Sequence, residues 1–390
     1  VTTAAAIKLP IYLDNSATTP VDPRVVAAML PYLTQHFGNP ASSTHELGRV
    51  ASRAVEQARA EVAALVGAEA REIVWTSGAT ESNNLALKGA AAASRTRGGH
   101  LLTLETEHKA VLDTMKELER AGFEVTYLAP DPNGLVDLAR FEAALRPDTL
   151  LASVMLVNNE IGVIQDVAAL GAACRAHGVL FHVDAAQATG KVAIDLARLP
   201  VDLMSLTAHK TYGPKGIGAL YVRRDKRARV HCQMHGGGHE RGLRSGTLPT
   251  HQIVGMGACF RIAGEEMGAE VPRLRALRDR LWRGLSDIPE LRVNGDMQRR
   301  IANNLNLSVA LDDCDALVTS LTDIAVSSTS ACSSGSAMPS HVLQALGAEG
   351  ASTIRLTVGR FNTQAEIDHA VTHLRQKLEE CRARPRRSAA

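Results

Sequence analysis

Short apolar runs recur along the first part of the chain, at residues 72–77, 100–104, 124–129, 150–157, 180–185, 203–207 and 217–222. Between several of them lie stretches of helical periodicity, at 81–95, 109–121, 138–145 and 167–177. Runs that are apolar on both faces and alternate with helices predict a mostly parallel sheet, because each crossover lays a helix over a sheet face. The last two runs are joined by a short connection, so part of the sheet is expected to be antiparallel. A Gly-rich stretch follows, at 236–238 with Gly242 and Gly246, and then a long helical pattern over 252–286. Pro272 falls inside it and predicts a kink. Strand patterns at 304–309 and 353–357 and an amphipathic helix over 365–382 predict a second, α+β unit.

The expectation is therefore an α/β protein in two parts. Residues 16–260 form a large domain around a mostly parallel seven-stranded sheet flanked by helices. Residues 1–15 and 261–390 form a smaller α+β domain. Residues 11–14 read as a strand, and 1–10, without the basic start and long apolar run of a signal peptide, as a disordered lead. The basic, Pro-containing stretch 382–390 is likewise expected to be disordered.

Composition narrows the class. A chain of 390 residues suits one large domain plus a smaller one. A formal charge of +2 lacks the basic excess of a nucleic-acid binder. No apolar run approaches the roughly 18 residues that span a bilayer. Aromatic content of only 3% leaves Ala, Val, Leu and Ile to fill the core. The six cysteines, at 174, 232, 259, 314, 332 and 381, include no C-x-x-C pair. That pattern suggests neither a zinc site nor a redox dithiol, and points to reduced thiols in the cytoplasm.

Four segments could carry chemistry. Ser77-Gly78-Ala79-Thr80-Glu81 links a strand to a helix, where small residues and free N–H groups suit a phosphate. Equally, it reads as an ordinary turn with Thr80 as N-cap. P-loop and dinucleotide fingerprints are absent from the sequence. Asp184, in His182-Val183-Asp184, ends an apolar strand at the edge where open α/β sheets bind ligands. It could pair with a protonated ring nitrogen or simply cap a helix.

Lys210, in Thr207-Ala208-His209-Lys210, ends another buried strand, where its charge is costly unless paired or lost. A deprotonated lysine is what an aldehyde cofactor needs to form a Schiff base, although an isolated lysine there could reach out to solvent. Cys332 lies among small polar residues over 327–336, as in a loop, whereas Cys174 and Cys259 sit in helical patterns that suggest inert buried thiols. His235 and His239 are four apart, but three intervening glycines argue against a helical metal pair.

In this order the segments closely resemble the cysteine desulfurases of the NifS/IscS type, within the fold-type I, class V aminotransferase group. The likeness runs from Tyr12-Leu13-Asp14-Asn15-Ser16-Ala17-Thr18-Thr19-Pro20 to Arg355. It includes 37–42, 77–82, Thr106-Glu107-His108-Lys109-Ala110-Val111, 157–162 and 236–248.

The resemblance implies pyridoxal 5'-phosphate, joined to Lys210, its ring nitrogen held protonated by Asp184. It implies Gln187 on the phenolic oxygen, and His108 stacked on the ring and moving protons. Ala79, Thr80, Thr207 and His209 would bind the phosphate, with Thr247 reaching it from the second subunit of a homodimer. Asn159 and Arg355 would orient L-cysteine, Arg355 through its carboxylate. Cys332 would receive the sulfur as a persulfide while L-alanine leaves, for iron–sulfur cluster assembly or other sulfur transfer.

No intrinsic metal is implied, though in this group the loop cysteine can share a [2Fe–2S] cluster with the scaffold partner, a role open to Cys332. Thr329 stands where these proteins usually carry Gly, and the Arg-Pro-Arg-Arg-Ser-Ala-Ala tail differs from the longer tail that docks the scaffold. A selenocysteine lyase or aminotransferase would keep Lys210 and Asp184 but explains the cysteine loop less well. A non-catalytic sulfur carrier is disfavoured by the intact Lys210.

Overall fold

The computed structural model describes residues 7–94, 99–310, 314–328, 340–347 and 352–382. Cys332, Thr329 and the tail from residue 383 lie outside the described residues.

The seven apolar runs form one sheet: β1 (Ile73–Thr76), β2 (His100–Leu104), β3 (Glu124–Leu128), β4 (Thr149–Met155), β5 (Leu180–Asp184), β6 (Leu203–Thr207) and β7 (Gly218–Val222). Their spatial order is β1-β7-β6-β5-β4-β2-β3. Only β7 runs antiparallel to its neighbours, β1 and β6. The antiparallel element is thus where the short connection placed it. Every residue of β4, β5 and β6 is buried, as strands covered on both faces must be.

The helices covering the sheet include α1 (Glu46–Val66), α2 (Ala79–Ser94), α3 (Lys109–Arg120), α4 (Val167–Ala176) and α5 (Thr250–Arg283). Helix α1 has no counterpart in the alternation read from residue 72 onward. Its buried face includes Ala51, Val55, Ala58, Val62 and Val66, an i, i+3, i+4 stripe of Ala and Val. That stripe packs against α5 closely enough that a Cβ on Gly257 would lie 2.7 Å from the Ala58 Cα. Pro272 is accommodated within α5, a single helix of 34 residues.

A second sheet holds β8 (Leu291–Val293), β9 (Asn304–Val309), β10 (Ser327–Ser328) and β11 (Ser352–Thr357), in the antiparallel order β10-β11-β9-β8. Helix α6 (Gln364–Arg382) and the end of α5 cover it through Leu281, Leu285, Leu305, Leu356, Ile367 and Leu374. The N-terminal strand Ile11–Tyr12 pairs in parallel with Ile324–Ala325, and Asp14 bridges to Thr357. These pairings tie residues 11–14 to the second sheet and bring Asp14 beside β11.

Candidate active site

The carboxyl ends of β2, β4, β5 and β6 open on one cavity of about 520 Å³. Strand β5 delivers Asp184 and the turn after it Gln187; β6 delivers Thr207, His209 and Lys210. The segment after β2 contributes His108, and that after β4 contributes Asn159. Ala79 and Thr80 enter from the start of α2. Nine of the residues singled out in the sequence therefore line a single pocket.

Two others stand apart from its lining. Arg355 is on β11, where its Nη1 donates to the carbonyl of Asn159 at 3.0 Å. Thr247 follows the turn that contains Glu240 and Arg241.

Local chemistry explains each placement. Helix α2 begins at Ala79, so Thr80 lies in its first turn and is not the N-cap. The carboxylate of Glu81 instead accepts the Ser77 N–H at 2.6 Å and pairs with Arg244 at 2.8 Å. A Cβ on Gly218 would lie 2.6 Å from the Gly78 Cα, so β7 and the Ser77–Gly78 turn can touch only because Gly218 lacks a side chain.

Asp184 does more than cap a turn. Its Oδ1 accepts the Ala186 N–H at 2.9 Å, and its Oδ2 accepts from Asn83 Nδ2 at 2.8 Å. Gln187 Nε2 donates to the Ser16 carbonyl at 2.7 Å, which fixes the orientation of its amide. His108 caps α3, its Nδ1 accepting the Ala110 N–H at 3.1 Å, so its remaining proton belongs on Nε2.

Lys210 is only partly open to solvent. Desolvation lowers its ammonium below the usual lysine value; Asp184 acts in the opposite sense, and Arg355 adds to the lowering. A lysine held this way yields its proton more readily than one in water, as a nucleophilic amine or a base must. Burial, followed by repulsion from Lys210, pushes His209 down to about 4. His108 is lowered as well, chiefly by desolvation. Cys174 and Cys259 are buried and their thiols are pushed up by desolvation, Cys174 to about 12, in accord with inert thiols.

Several contributors were given no role by the sequence, although Glu107 and His182 lie inside quoted runs. Asn83 lies one residue beyond the 77–82 run, and Glu107 is wholly buried beside His108. Glu107 Oε1 accepts the Met155 N–H at 2.7 Å, and desolvation raises its carboxyl well above the ordinary value. Behind Asp184, His182 Nδ1 meets Ser153 Oγ at 2.8 Å and Nε2 meets Ser205 Oγ at 2.9 Å.

Burial lowers His182 to about 4, against about 6.5 for an unfolded histidine. The unfolded chain then binds this proton first, so stability is complete above pH 6.5 and falls as pH drops through this window. The loss from this group reaches about 3 kcal/mol near pH 4. Urea unfolding of the parent and of His182→Gln across pH 4.5–7 should show a shallower slope in the variant. Parallel slopes would contradict it.

The fold and this pocket define an α/β enzyme whose site is built around a lysine at the carboxyl edge of a mostly parallel sheet. The chain belongs to the aminotransferase class-V family, whose model matches residues 11–370. It is 64% identical over 380 residues to cysteine desulfurase IscS of Methylobacillus flagellatus, covering 96% of this chain and 94% of that protein. With the protein of that name from Escherichia coli (strain HS) it shares 58% over 377 residues, 95% and 93% of the two chains.

Among solved structures, a NifS-like protein superposes with a TM-score of 0.89 at 36% identity, over 95% of this chain and all of that one. SspA in complex with cysteine gives a TM-score of 0.80 at 38% identity, over 90% of this chain and all of SspA. The family and fold expected from the motifs are borne out.

Proposed function

We propose that this chain is a pyridoxal-phosphate-dependent cysteine desulfurase that converts L-cysteine to L-alanine and passes the sulfur to Cys332. The observation that carries the reading is Lys210, a desolvated amine facing Asp184 across one pocket. The pocket suits the cofactor in a further respect: the Oδ1 atoms of Asn83 and Asn159 are buried at its wall without a partner among the described residues. Buried polar atoms left unpaired in a free protein are consistent with a polar ligand.

Lys210 would hold the cofactor, with Asp184 at the ring nitrogen, Gln187 at the phenolic oxygen and His108 over the ring. Ala79, Thr80, Thr207 and His209 would hold the phosphate, joined by Thr247 from the second subunit of a homodimer. Bound pyridoxal phosphate supplies an aldehyde for the amino group and a ring that spreads negative charge from Cα.

The protein's own groups do the rest. Arg355 and Asn159 orient the substrate, and Lys210 Nζ, uncharged, takes the Cα proton. His108, with its proton on Nε2, can donate and recover a proton on the face opposite its capping bond. Cys332, as thiolate, bonds to the substrate sulfur; the carbon–sulfur bond breaks, leaving a persulfide on Cys332 and alanine as co-product. Residues 16–260 would form the cofactor-binding domain, and 1–15 with 261–390 the domain that bears Cys332. The proposal also includes a cytoplasmic setting, in keeping with Cys174, Cys232, Cys259 and Cys381, which are free thiols, and an iron–sulfur scaffold or other protein as acceptor.

Mass spectrometry of the protein after treatment with L-cysteine should find added sulfur on Cys332. Cys332→Ala should lose the persulfide while retaining the yellow cofactor absorbance. Full-rate sulfide release by that variant without reductant would remove Cys332 from the scheme.

A further inference from the structure

Asp14, Ser327 and Arg355 belong to three separate segments that meet at the second sheet. Ser327 and Asn306 flank Arg355 in register, and the Asp14–Thr357 bridge brings in the third. Asp14 Oδ1 accepts from Arg355 Nη2 at 2.8 Å, and Asp14 Oδ2 accepts from Ser327 Oγ at 2.8 Å. The same Nη2 lies 3.3 Å from Ser327 Oγ. Nη1 is committed to the Asn159 carbonyl, while Nε is buried with no acceptor among the described residues. Side-chain exposure is 9% for Arg355 and 16% for Asp14.

A carboxylate that approaches Arg355 therefore meets a cation already neutralised. The orphan Nε can offer one hydrogen bond, whereas a forked grip needs Nε together with an Nη group. Two carboxylates crowded on one guanidinium edge would also repel each other. We propose that Asp14 is a positioning residue that occupies Arg355 in the unliganded protein and yields Nη2 to the carboxylate of the amino-acid substrate.

The exchange leaves neither partner bare. Asp14 retains the Ser327 hydroxyl and its solvent-exposed edge, and Arg355 retains the Asn159 carbonyl. In the empty site Asp14 fixes the guanidinium in place. In the occupied site the lost ion pair weakens binding, so only ligands that bring their own carboxylate recover it. The inference rests on Arg355 as the group that reads the substrate carboxylate.

The test is calorimetric titration of the cofactor-loaded protein with L-alanine and with L-alaninamide, which lacks the carboxylate. Asp14→Asn should tighten L-alanine about tenfold, the size of one hydrogen bond to a charged group, and leave L-alaninamide within about twofold. In turnover the KM for cysteine should fall by a similar factor, with kcat within about twofold. Ser327→Ala removes the donor left to Asp14, so it should weaken L-alanine several-fold, and do nothing further when combined with Asp14→Asn.

Unchanged or weaker L-alanine binding in Asp14→Asn overturns the proposal. If that variant fails to fold, a Ser327→Ala protein that binds L-alanine as tightly as the parent overturns it instead. Arg355→Lys separates the underlying reading: L-alanine binding unaffected by that change would remove Arg355 as the carboxylate reader, whatever Asp14 does.

Discussion

Lys210→Ala should abolish the yellow absorbance of the cofactor-loaded protein and cut alanine formation from L-cysteine by on the order of 10³-fold or more. Both losses follow from one nitrogen. It would supply the covalent hold on the cofactor and the base for the Cα proton, and the two roles need the lowered ammonium that desolvation produces. Lys210→Arg should fail equally, because a guanidinium keeps its proton at any workable pH and cannot act as a nucleophilic amine. The fold should survive, since Lys210 follows the end of β6 and forms none of its ladder. Far-ultraviolet circular dichroism, the visible spectrum and an alanine assay on one preparation would check all three points. A Lys210→Ala protein that kept a covalently attached cofactor would end the functional reading.

Glu240→Ala should cost about 3 kcal/mol of stability, because the buried Arg59 would keep only the exposed Glu56, 3.1 Å away, as counter-charge. Arg59 and Glu240 form a two-pronged pair, Nη1–Oε2 at 2.6 Å and Nη2–Oε1 at 2.9 Å, with side chains 3% and 2% exposed. Glu240 Oε2 also accepts the Trp75 N–H at 2.8 Å, and the Arg59 guanidinium lies over the Trp75 ring. This knot fastens β1 to the segment that leads to Thr247.

Glu240 and Arg241 have φ values of 51° and 57°, a left-handed conformation unfavourable for residues with side chains. The turn is held by the ion pair, the Trp75 N–H on Glu240 and Arg241 Nη1 on the Arg71 carbonyl, so loss of the pair should loosen the turn as well as destabilise the core. The apparent urea midpoint should drop, and cofactor retention should weaken because Thr247 is no longer held. The double change Arg59→Met with Glu240→Leu should cost less than Glu240→Ala alone, since it leaves no unpaired charge. A single-variant cost below about 1 kcal/mol would show that the pair contributes little.

The seven strands of the main sheet were legible as apolar runs, with ends displaced by a residue or two. Fully buried parallel strands leave a compositional mark that depends on no distant partner. Lys210 and Asp184 were legible for a related reason: a charged residue closing an apolar strand conflicts with its surroundings, and such conflicts gather at sites. Helix α1 went unread because its buried stripe mixes Ala with short Val side chains, and such small residues signal burial weakly until the helix opposite them is known. Asn83 was passed over, and Glu107 was quoted in the 106–111 run without a role, because each is an ordinary polar residue in sequence. What distinguishes them is a neighbour contributed by another strand: Asp184 for Asn83, Met155 for Glu107.

By itself the amino-acid order determined the strand and helix alternation, the lysine and carboxylate at strand ends, and the family to which the chain belongs. All three are local, since periodicity and motif depend on residues close together along the backbone. Tertiary structure alone decided that Asp14 and Arg355, 341 positions apart, neutralise each other, that Glu240 is anchored by Arg59, and that desolvation lowers Lys210. Charge pairing and desolvation depend on which groups the fold brings within a few ångströms and how much water it removes. Neither quantity exists until the chain has closed on itself.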